Sequence, residues 1–372
     1  VIDGSFTHGN DIAQGPNGAM AIVGYEATSD DMKLAYYYDG SWTTSVIQNS
    51  VTALQYPSVG IDSNGVVHIV YLDMTNDVLR YATNLSGTWQ VIDIDTTSAS
   101  VINLANGRIP GTDLAIDSTD NLHIVFSTKD STNNKQSINY TTNQGGSWAS
   151  TVISDIAEDA VDPAIALDSN DKAHVSYYRD TGSDLIYATN EGGTWAREIV
   201  DSTLNVGKYS SIAVDYNDEV HISYLKANNK ALKLASGSTG SWTISTIKSN
   251  HNVEHTSIAA DSNGDLHIIY SYSDFASNKK LYYYTNESGS WVDTTLTSDG
   301  GLSCSISIDT NDDIHIAHSD LAINTELEYA TMSGSGKGVK QHTTWQISPA
   351  LPDGLHMNWR NGTISGTPTS IY

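Results

Sequence analysis

Apolar and polar residues alternate with a period of two in many short segments of the chain. One stretch contains four such segments, at residues 211–215, 221–224, 231–235 and 242–247, with polar turn residues between them. This alternation predicts β-strands that each bury one face. No segment combines an apolar period of 3.6 residues with helix-capping residues. The pattern therefore predicts an all-β protein built from short strands.

Two sequence markers recur in phase and divide the chain into similar units. A Gly-Ser-Trp or Gly-Thr-Trp sequence ends at Trp42, Trp89, Trp148, Trp195, Trp242 and Trp291, and a weaker copy ends at Trp345. An aspartate stands six residues before a histidine in six units, as Asp62 and His68, Asp117 and His123, Asp168 and His174, Asp215 and His221, Asp261 and His267, and Asp309 and His315. The first unit has Gly15 and Ala21 at these two positions.

Seven units of about 48 residues, with four strands each, are typical of sheets arranged radially in a ring. One sheet cannot bury both of its faces alone, whereas a closed ring packs each face against a neighbour. The sequence therefore predicts a seven-bladed β-propeller of four-stranded antiparallel blades over residues 1–348. Residues 1–3 are similar to fourth-strand endings. We expect them to pair into the last blade, beside or instead of residues 345–347, unless the chain starts partway through a longer array.

The recurring aspartates, histidines and tryptophans are interpreted as structural residues. A catalytic site would break the repetition at one blade, whereas these residues return in nearly every unit. We expect each carboxylate to orient a partly buried imidazole at the hairpin between the first and second strands. We expect each tryptophan to pack between blades.

The hairpin between the third and fourth strands resembles the Asp-box, Ser-x-Asp-x-Gly-x-Thr-Trp, of sialidase-like propellers. The most similar copies are residues 141–148 and 188–195, which have asparagine in place of the aspartate. The resemblance implies a propeller in which the box ties the turn. Sialidases also place an Arg-Ile-Pro sequence on an early blade, and residues 108–110 match it. The remaining arginines do not supply the other two that clamp a substrate carboxylate in that family, so sialidase activity is not expected.

Residues 349–372 differ in character from the repeats. Leu-Pro-Asp-Gly-Leu at 351–355, followed by Gly-Thr-Ile-Ser-Gly-Thr-Pro at 362–368, resembles the opening half of immunoglobulin-like repeats found in tandem on large prokaryotic surface proteins. A complete domain of that kind needs more residues than this segment has. We therefore expect the truncated start of an immunoglobulin-like domain, or a C-terminal extension, within a larger multidomain protein.

The charge balance excludes some classes of partner. The chain has 43 acidic and 18 basic residues, which gives a net charge of −25. Nucleic-acid binding needs clustered lysines and arginines, so no nucleic-acid partner is expected. No run of about 18 apolar residues occurs, so no membrane insertion is expected. The single cysteine, Cys304, excludes a disulfide framework and a cysteine-rich metal site.

Positions that differ between units indicate where a ligand binds. The innermost strand of each blade begins about six residues before the strand-ending aspartate, on the face with the longer loops. The leading residues of these strands are expected to line the mouth of the central channel. They include His8, Tyr56, Arg108, Asp162, Tyr209 and His255. These residues form an irregular polar and aromatic rim on a regular scaffold, which predicts a ligand site in a pocket at the channel mouth. The alternative is that the differences reflect ordinary sequence variation in exposed loops.

Acidic residues crowd one crossover between blades. They are Asp155, Glu158, Asp159 and Asp162. Oxygen-rich loops suit Ca²⁺, although no Asp-x-Asp-x-Asp-Gly loop is present and a solvated acidic loop is the alternative. Calcium is the one ion that the sequence suggests, and no other cofactor is expected.

Three functional hypotheses follow. The first is a non-catalytic recognition or adhesion propeller, extracellular or at the cell surface, that binds a glycan or a surface protein through the variable loops. The second is a polysaccharide-active enzyme, such as a lyase with His255, Tyr209 and Arg108 as base, acid and carboxylate-binding cation. The acidity of the chain argues against a polyanionic substrate. The third is a structural spacer in a surface assembly.

Overall fold

The computed structural model describes residues 2, 8–26, 29, 31–49, 54–73, 76, 78–95, 100–101, 111–129, 135–155, 157–228, 230–249, 251–273, 279–297, 303–319, 327–333, 355–357 and 364–366. Within these ranges the chain forms seven antiparallel sheets and a separate two-stranded ladder. A 3-10 turn at Pro16–Gly18 is the only helical element there. The described residues thus include no helix capable of crossing a bilayer.

The first three blades cover the N-terminal part of the ring. Blade 1 contains β1 (His8–Gln14), β2 (Met20–Glu26), β3 (Asp31–Tyr38) and β4 (Ser41–Gln48). Blade 2 contains β5 (Leu54–Ile61), β6 (Val67–Asp73), β7 (Val78–Thr83) and β8 (Gln90–Asp95). Blade 3 contains β9 (Ser100–Val101), β10 (Thr112–Ile116), β11 (Leu122–Lys129), β12 (Gln136–Thr142) and β13 (Ala149–Val152), and β9 and β10 both pair with β11.

Four further blades complete the ring. Blade 4 contains β14 (Ala160–Leu167), β15 (Ala173–Arg179), β16 (Asp184–Thr189) and β17 (Ala196–Asp201). Blade 5 contains β18 (Val206–Val214), β19 (Val220–Lys226), β20 (Ala231–Ser238) and β21 (Ser241–Lys248). Blade 6 contains β22 (Val253–Ala260), β23 (Leu266–Ser273), β24 (Lys279–Thr285) and β25 (Val292–Thr297). Blade 7 contains β26 (Cys304–Ile308), β27 (Ile314–Ser319) and β28 (Leu327–Met332). The predicted seven-bladed all-β propeller is confirmed.

The C-terminal segment contributes one short ladder to the described residues. β29 (Leu355–Met357) pairs antiparallel with β30 (Ile364–Gly366). The immunoglobulin-like character of this segment stays a prediction.

The ring closes between blade 7 and blade 1. β1 packs beside β26. The Trp42 ring lies edge-on against Tyr329, with centroids 5.1 Å apart. The Ile2 N–H donates to the Leu327 carbonyl of β28 at 2.9 Å. This hydrogen bond agrees with the expected pairing of the N-terminal segment into the last blade, whereas residues 345–347 lie outside the described residues.

A buried relay connects the two sequence markers. In blade 4 the Asp168 carboxylate lies 3.4 Å from Nε2 of His174, and Nδ1 of His174 lies 2.5 Å from the Tyr187 hydroxyl. The Tyr187 ring meets Trp242 of the next blade edge-on, with centroids 5.0 Å apart. The Asp–His–Tyr contacts recur at Asp62–His68–Tyr81, Asp117–His123–Tyr140, Asp261–His267–Tyr283 and Asp309–His315–Tyr329. The tyrosine–tryptophan contact recurs at Tyr81–Trp148 and Tyr140–Trp195.

The pKa values at the two ends of the relay indicate where its protons lie. Burial raises the pKa of Tyr140 to about 12, so its hydroxyl stays protonated, 2.6 Å from Nδ1 of His123. Burial opposes ionisation of Asp117, but hydrogen bonds from His123 and Asn121 outweigh it and lower the pKa of this carboxyl. The ionised carboxylate can only accept, so Nε2 of His123 donates to it at 3.2 Å.

Tyr187→Phe is expected to lower the free energy of unfolding by about 1–3 kcal/mol, because Nδ1 of His174 is left buried without a partner. Urea denaturation followed by tryptophan fluorescence measures the change. Tyr38→Phe is the matched control. Tyr38 is 55% exposed, so its variant is expected to change stability by less than about 0.5 kcal/mol. Equal effects of the two substitutions would contradict the structural role of the relay.

The hairpin between the third and fourth strands is tied to the start of the second strand by its asparagine. Asn143 Oδ1 accepts the Leu122 N–H at 2.8 Å, and Asn190 Oδ1 accepts the Ala173 N–H at 2.8 Å. Gly146 turns the first of these hairpins with a φ of 79°, a conformation that favours glycine. The asparagine thus ties the turn in the two segments that resemble an Asp-box, while membership of that motif stays a prediction.

Side chains of the innermost strands form a hydrogen-bonded belt around the central channel. The acceptor is a serine or aspartate that stands four residues before the recurring aspartate at the end of the first strand, or before Gly15 in blade 1. Its side chain accepts a backbone N–H from the next blade. The six links run from Val59 to Asp11, Leu114 to Ser58, Ile165 to Asp113, Ile258 to Ser211, Ile306 to Ser257 and Ile12 to Ser305, with N···O distances of 2.8–3.4 Å. Blade 4 has Ala164 at this position, which offers no side-chain acceptor to blade 5.

A second set of hydrogen bonds joins the hairpins between first and second strands. We call this side of the ring the hairpin face, and the side with the crossovers between blades the variable face. On the hairpin face the N–H and hydroxyl groups of Ser63, Ser118, Ser169 and Ser262 donate to the carboxylates of Asp120, Asp171, Asp218 and Asp312 in the next blade. Between blades 5 and 6, Tyr216 stands in place of the donor serine and Gly264 in place of the acceptor aspartate. The Tyr216 ring packs against this glycine so closely that a Cβ there would lie 2.8 Å from the ring.

Candidate functional site

The innermost strands of five blades are irregular near the variable face. Their pairing with the second strand shifts register between His8 and Asp11, Gln55 and Ser58, Val161 and Ala164, Lys208 and Ser211, and Val253 and His255. A β-bulge leaves an extra residue unpaired and redirects its side chain. Several residues predicted to line the channel mouth therefore lie where these strands depart from regular geometry.

Asp162 and Tyr209 occupy neighbouring irregularities on blades 4 and 5. Their φ values of 60° and 51° place both in the left-handed region, which is costly for such residues and concentrates at functional sites. The Tyr209 N–H donates to the Asp162 carboxylate. Burial raises the pKa of Asp162 to about 7, although this hydrogen bond and Lys208 oppose the rise. Near neutral pH the carboxyl can therefore either accept or donate a hydrogen bond.

The Tyr209 ring contacts the His255 ring of blade 6. Their centroids are 4.4 Å apart and their planes are tilted by 54°. Burial lowers the pKa of His255 to about 4, so its imidazole is neutral at physiological pH. The His255 N–H donates to the Ser271 hydroxyl at 3.0 Å, which fixes this end of β22. A carboxyl, a phenol and a neutral imidazole from three consecutive blades thus lie side by side.

The other three residues predicted for the channel mouth have no described side chain. His8 and Tyr56 lie in β1 and β5, but their side chains fall outside the described part of the structure. Arg108 also lies outside the described residues. Their assignment to the site stays a prediction.

The four acidic residues predicted to bind calcium do not form a common ligand set. Asp155 and Glu158 both pair with Arg197, at 3.1 and 3.6 Å. Asp159 accepts the Gln136 N–H at 2.9 Å, and Asp162 accepts the Tyr209 N–H. Across the described ranges, only Asp215, Glu219 and His221 bring three ligand atoms within 4.8 Å of one another. These three lie on the hairpin face, away from the predicted calcium loop.

An aromatic cluster lies at the start of blade 6, and the sequence analysis missed it. The His251 ring lies 4.4 Å from Tyr272, 5.1 Å from Tyr282 and 5.8 Å from Tyr270 between centroids. Nδ1 of His251 and the hydroxyl of Tyr270 are buried without hydrogen-bond partners. In blades 2, 4 and 5 the tyrosine at the equivalent position does have a partner. The pairs are Tyr71 and Gln48, Tyr177 and Glu158, and Tyr224 and Asp201, with the tyrosine hydroxyl as donor in each. The signal in the sequence is the density of tyrosine in blade 6, at 270, 272 and 282–284.

Comparisons with known proteins identify structural but not sequence relatives. The chain matches no protein-family model and no curated protein sequence. Its structure is similar to that of a PL25 ulvan lyase bound to -[GlcA(1-4)Rha3S]-, with a TM-score of 0.61 and 12% identity, covering 89% of this chain and 95% of the lyase.

Two other similar structures come from fungal proteins. One is the Aleuria aurantia lectin in complex with α-methyl-L-fucoside, with a TM-score of 0.54 and 13% identity, covering 79% of this chain and 97% of the lectin. The other is a Penicillium chrysogenum α-L-arabinanase complexed with arabinobiose, with a TM-score of 0.53 and 12% identity, covering 77% of this chain and 95% of the arabinanase. At these identities the comparisons show that the chain shares the β-propeller fold of carbohydrate-binding and carbohydrate-cleaving proteins.

Proposed function

We propose that the protein binds a glycan at the channel mouth of its variable face, through Asp162, Tyr209 and His255. The observation that carries the proposal is that the Asp162 carboxylate accepts the Tyr209 N–H and the Tyr209 ring contacts His255, where blades 4 to 6 depart from the repeat. Aromatic rings stack on sugar rings, and a carboxyl group binds sugar hydroxyls. The similar propellers include a lectin solved with a fucoside, which favours a glycan over a surface protein as the ligand.

The charge of the protein narrows the class of glycan. A net charge of −25 repels polyanionic chains. The pocket residues are a carboxyl, a phenol and a neutral imidazole, and none of them supplies a fixed positive charge. We therefore propose a neutral glycan as the ligand, in the extracellular or cell-surface setting expected from the sequence.

Tyr209→Ala is expected to weaken glycan binding about two- to tenfold, because one ring contact contributes roughly 0.5–1.5 kcal/mol. A glycan array identifies the ligand, and isothermal titration calorimetry then compares the affinities. Tyr38→Ala is the matched control, since it removes an exposed tyrosine at the hairpin face and is expected to leave the affinity unchanged. The proposal fails if the protein binds no glycan, or if the two variants weaken binding equally.

A catalytic use of the same residues is the second candidate, favoured by the contact of Tyr209 with a neutral His255. β-Elimination next to a uronate needs a base for the sugar C5 proton and an acid for the leaving oxygen. Imidazole and phenol groups can fill these roles. Incubation with uronate polysaccharides separates the candidates, because recognition alone gives no unsaturated product. Turnover that His255→Ala abolishes would replace recognition with lyase activity.

A further inference from the structure

Blade 5 departs from the relay on the hairpin face. Where the other relay blades have a tyrosine, blade 5 has Leu234, and Ser236 replaces the threonine opposite the relay histidine. Nδ1 of His221 lies 2.8 Å from the Ser236 hydroxyl. An open cleft of about 340 Å³ lies beside this hairpin, lined by polar residues that include Asp218, Glu219 and Ser236.

Three electron-pair donors come together beside this cleft, and one of them, Glu219, lines it. Asp215 Oδ1 accepts the N–H groups of Asn217 and Glu219, at 2.8 and 2.9 Å, which leaves Oδ2 directed towards His221. Nε2 of His221 lies 3.6 Å from Oδ2 and is buried without a hydrogen-bond partner, in a residue that is only 5% exposed. The exposed Glu219 carboxylate brings the third ligand atom within 4.8 Å of the other two.

We propose that Asp215, Glu219 and His221 bind a divalent cation of the Zn²⁺ or Mn²⁺ class at the hairpin face of blade 5. One imidazole nitrogen with two carboxylates suits these ions, whereas Ca²⁺ prefers oxygen ligands alone. The Ser236 hydroxyl at Nδ1 fixes the ring and leaves Nε2 as the ligand atom. Water in the cleft can complete the coordination. The site is independent of the proposed glycan site, which lies on the opposite face.

Blades 6 and 7 supply an internal comparison. They carry the same kinds of residue at the same turn positions, Asp261, Asp265 and His267, and Asp309, Asp313 and His315. Nε2 of His267 and of His315 is also buried without a hydrogen-bond partner, but Nδ1 of each remains in the relay with a tyrosine, and neither set brings three ligand atoms together among the described residues. Glutamate is one methylene longer than aspartate, so its carboxylate reaches back to the Asp–His pair in blade 5.

Calorimetric titration of the EDTA-treated full chain with MnCl₂ and with ZnCl₂, at physiological salt, tests the site. One ion per chain is expected to bind, and Glu219→Gln is expected to weaken binding roughly ten- to a hundredfold. Asp313→Asn is the matched control at the same turn position of blade 7 and is expected to keep the affinity of the unmodified protein. Because Glu219 is exposed, its variant is expected to unfold at the unchanged temperature in EDTA.

A second measurement locates the ion. Mn²⁺ broadens NMR signals of nearby nuclei, so the ring signals of His221 are expected to disappear before those of His315. The proposal is overturned if no saturable binding occurs, if Glu219→Gln and Asp313→Asn weaken binding equally, or if all histidine signals broaden together. The last two results would indicate nonspecific attraction of cations to an acidic surface.

Discussion

Lys233→Ala is expected to lower the free energy of unfolding by about 3–5 kcal/mol, because it leaves a buried carboxylate without its cation. The Lys233 ammonium donates to Asp201 Oδ2, and the two side chains are only 7% and 1% exposed. The Tyr224 hydroxyl donates to the same oxygen at 2.7 Å, so a second blade element loses its support when the pair is broken. Urea denaturation at neutral pH measures the loss.

Lys248→Ala is the matched control for this ion pair. Lys248 pairs with Asp293, but both side chains are 31% exposed, so the loss is expected to stay below about 1 kcal/mol. Equal losses in the two variants would contradict the importance of burial.

Burial opposes ionisation of Asp201, but hydrogen bonds led by Lys233 outweigh it and lower its pKa to about 2. A lowered pKa stabilises the fold above about pH 4, and this contribution is lost as the pH falls towards 2.

The belt contains a pair of carboxyl groups that share one serine. The Ser58 hydroxyl lies 2.9 Å from Asp11 Oδ2 and 3.1 Å from Asp113 Oδ1. Burial and then the neighbouring Asp11 raise the pKa of Asp113 to about 7. Burial also raises the pKa of Asp11, although hydrogen bonds led by the Val59 N–H oppose the rise. The native state therefore holds a proton on this pair at a pH where the unfolded chain has lost it.

Asp113→Asn is expected to gain stability relative to the unmodified protein as the pH rises from about 4 to 7. Over this interval the native protein binds more protons than the unfolded chain, so its free energy of unfolding falls, by at most about 4 kcal/mol for three pKa units. The neutral amide of the variant binds no proton in this interval, so this position no longer makes the free energy of unfolding depend on pH. Urea denaturation at several pH values measures the difference between the two proteins. Asp39→Asn, at an exposed hairpin, is expected to show a constant difference, and a constant difference for Asp113→Asn would contradict the shared proton.

The sequence predicts the architecture well because the markers repeat at hairpins of nearly constant length. The spacing of the markers gives the number of blades, and the alternation of apolar and polar residues locates the strands within each blade. The tyrosine of the relay is not predicted, because its distance from the histidine varies from 13 residues for His68 and Tyr81 to 17 for His123 and Tyr140. Cross-strand register brings the two together, and the loop between the strands differs in length from blade to blade.

The candidate site is only partly readable from the sequence. Counting from the strand-ending aspartate selects Asp162, Tyr209 and His255, but the contact of Asp162 with Tyr209 depends on left-handed conformations at these two residues, which the local sequence does not predict. Such bulges are held by the surrounding packing and leave no local signal. The aromatic cluster at His251 is also missed, because it joins a crossover of one blade to the second and third strands of the next.

Ala164 makes one boundary of the ring different from the others. The belt hydrogen bond is absent between blades 4 and 5, although the buried Lys233–Asp201 ion pair and the hydrogen bond from Ser176 to Ser210 join these blades elsewhere. Asp162 and Tyr209 span this same boundary. A sugar that engages both would bridge the gap in the belt, so that an occupied pocket would supply the connection that Ala164 does not.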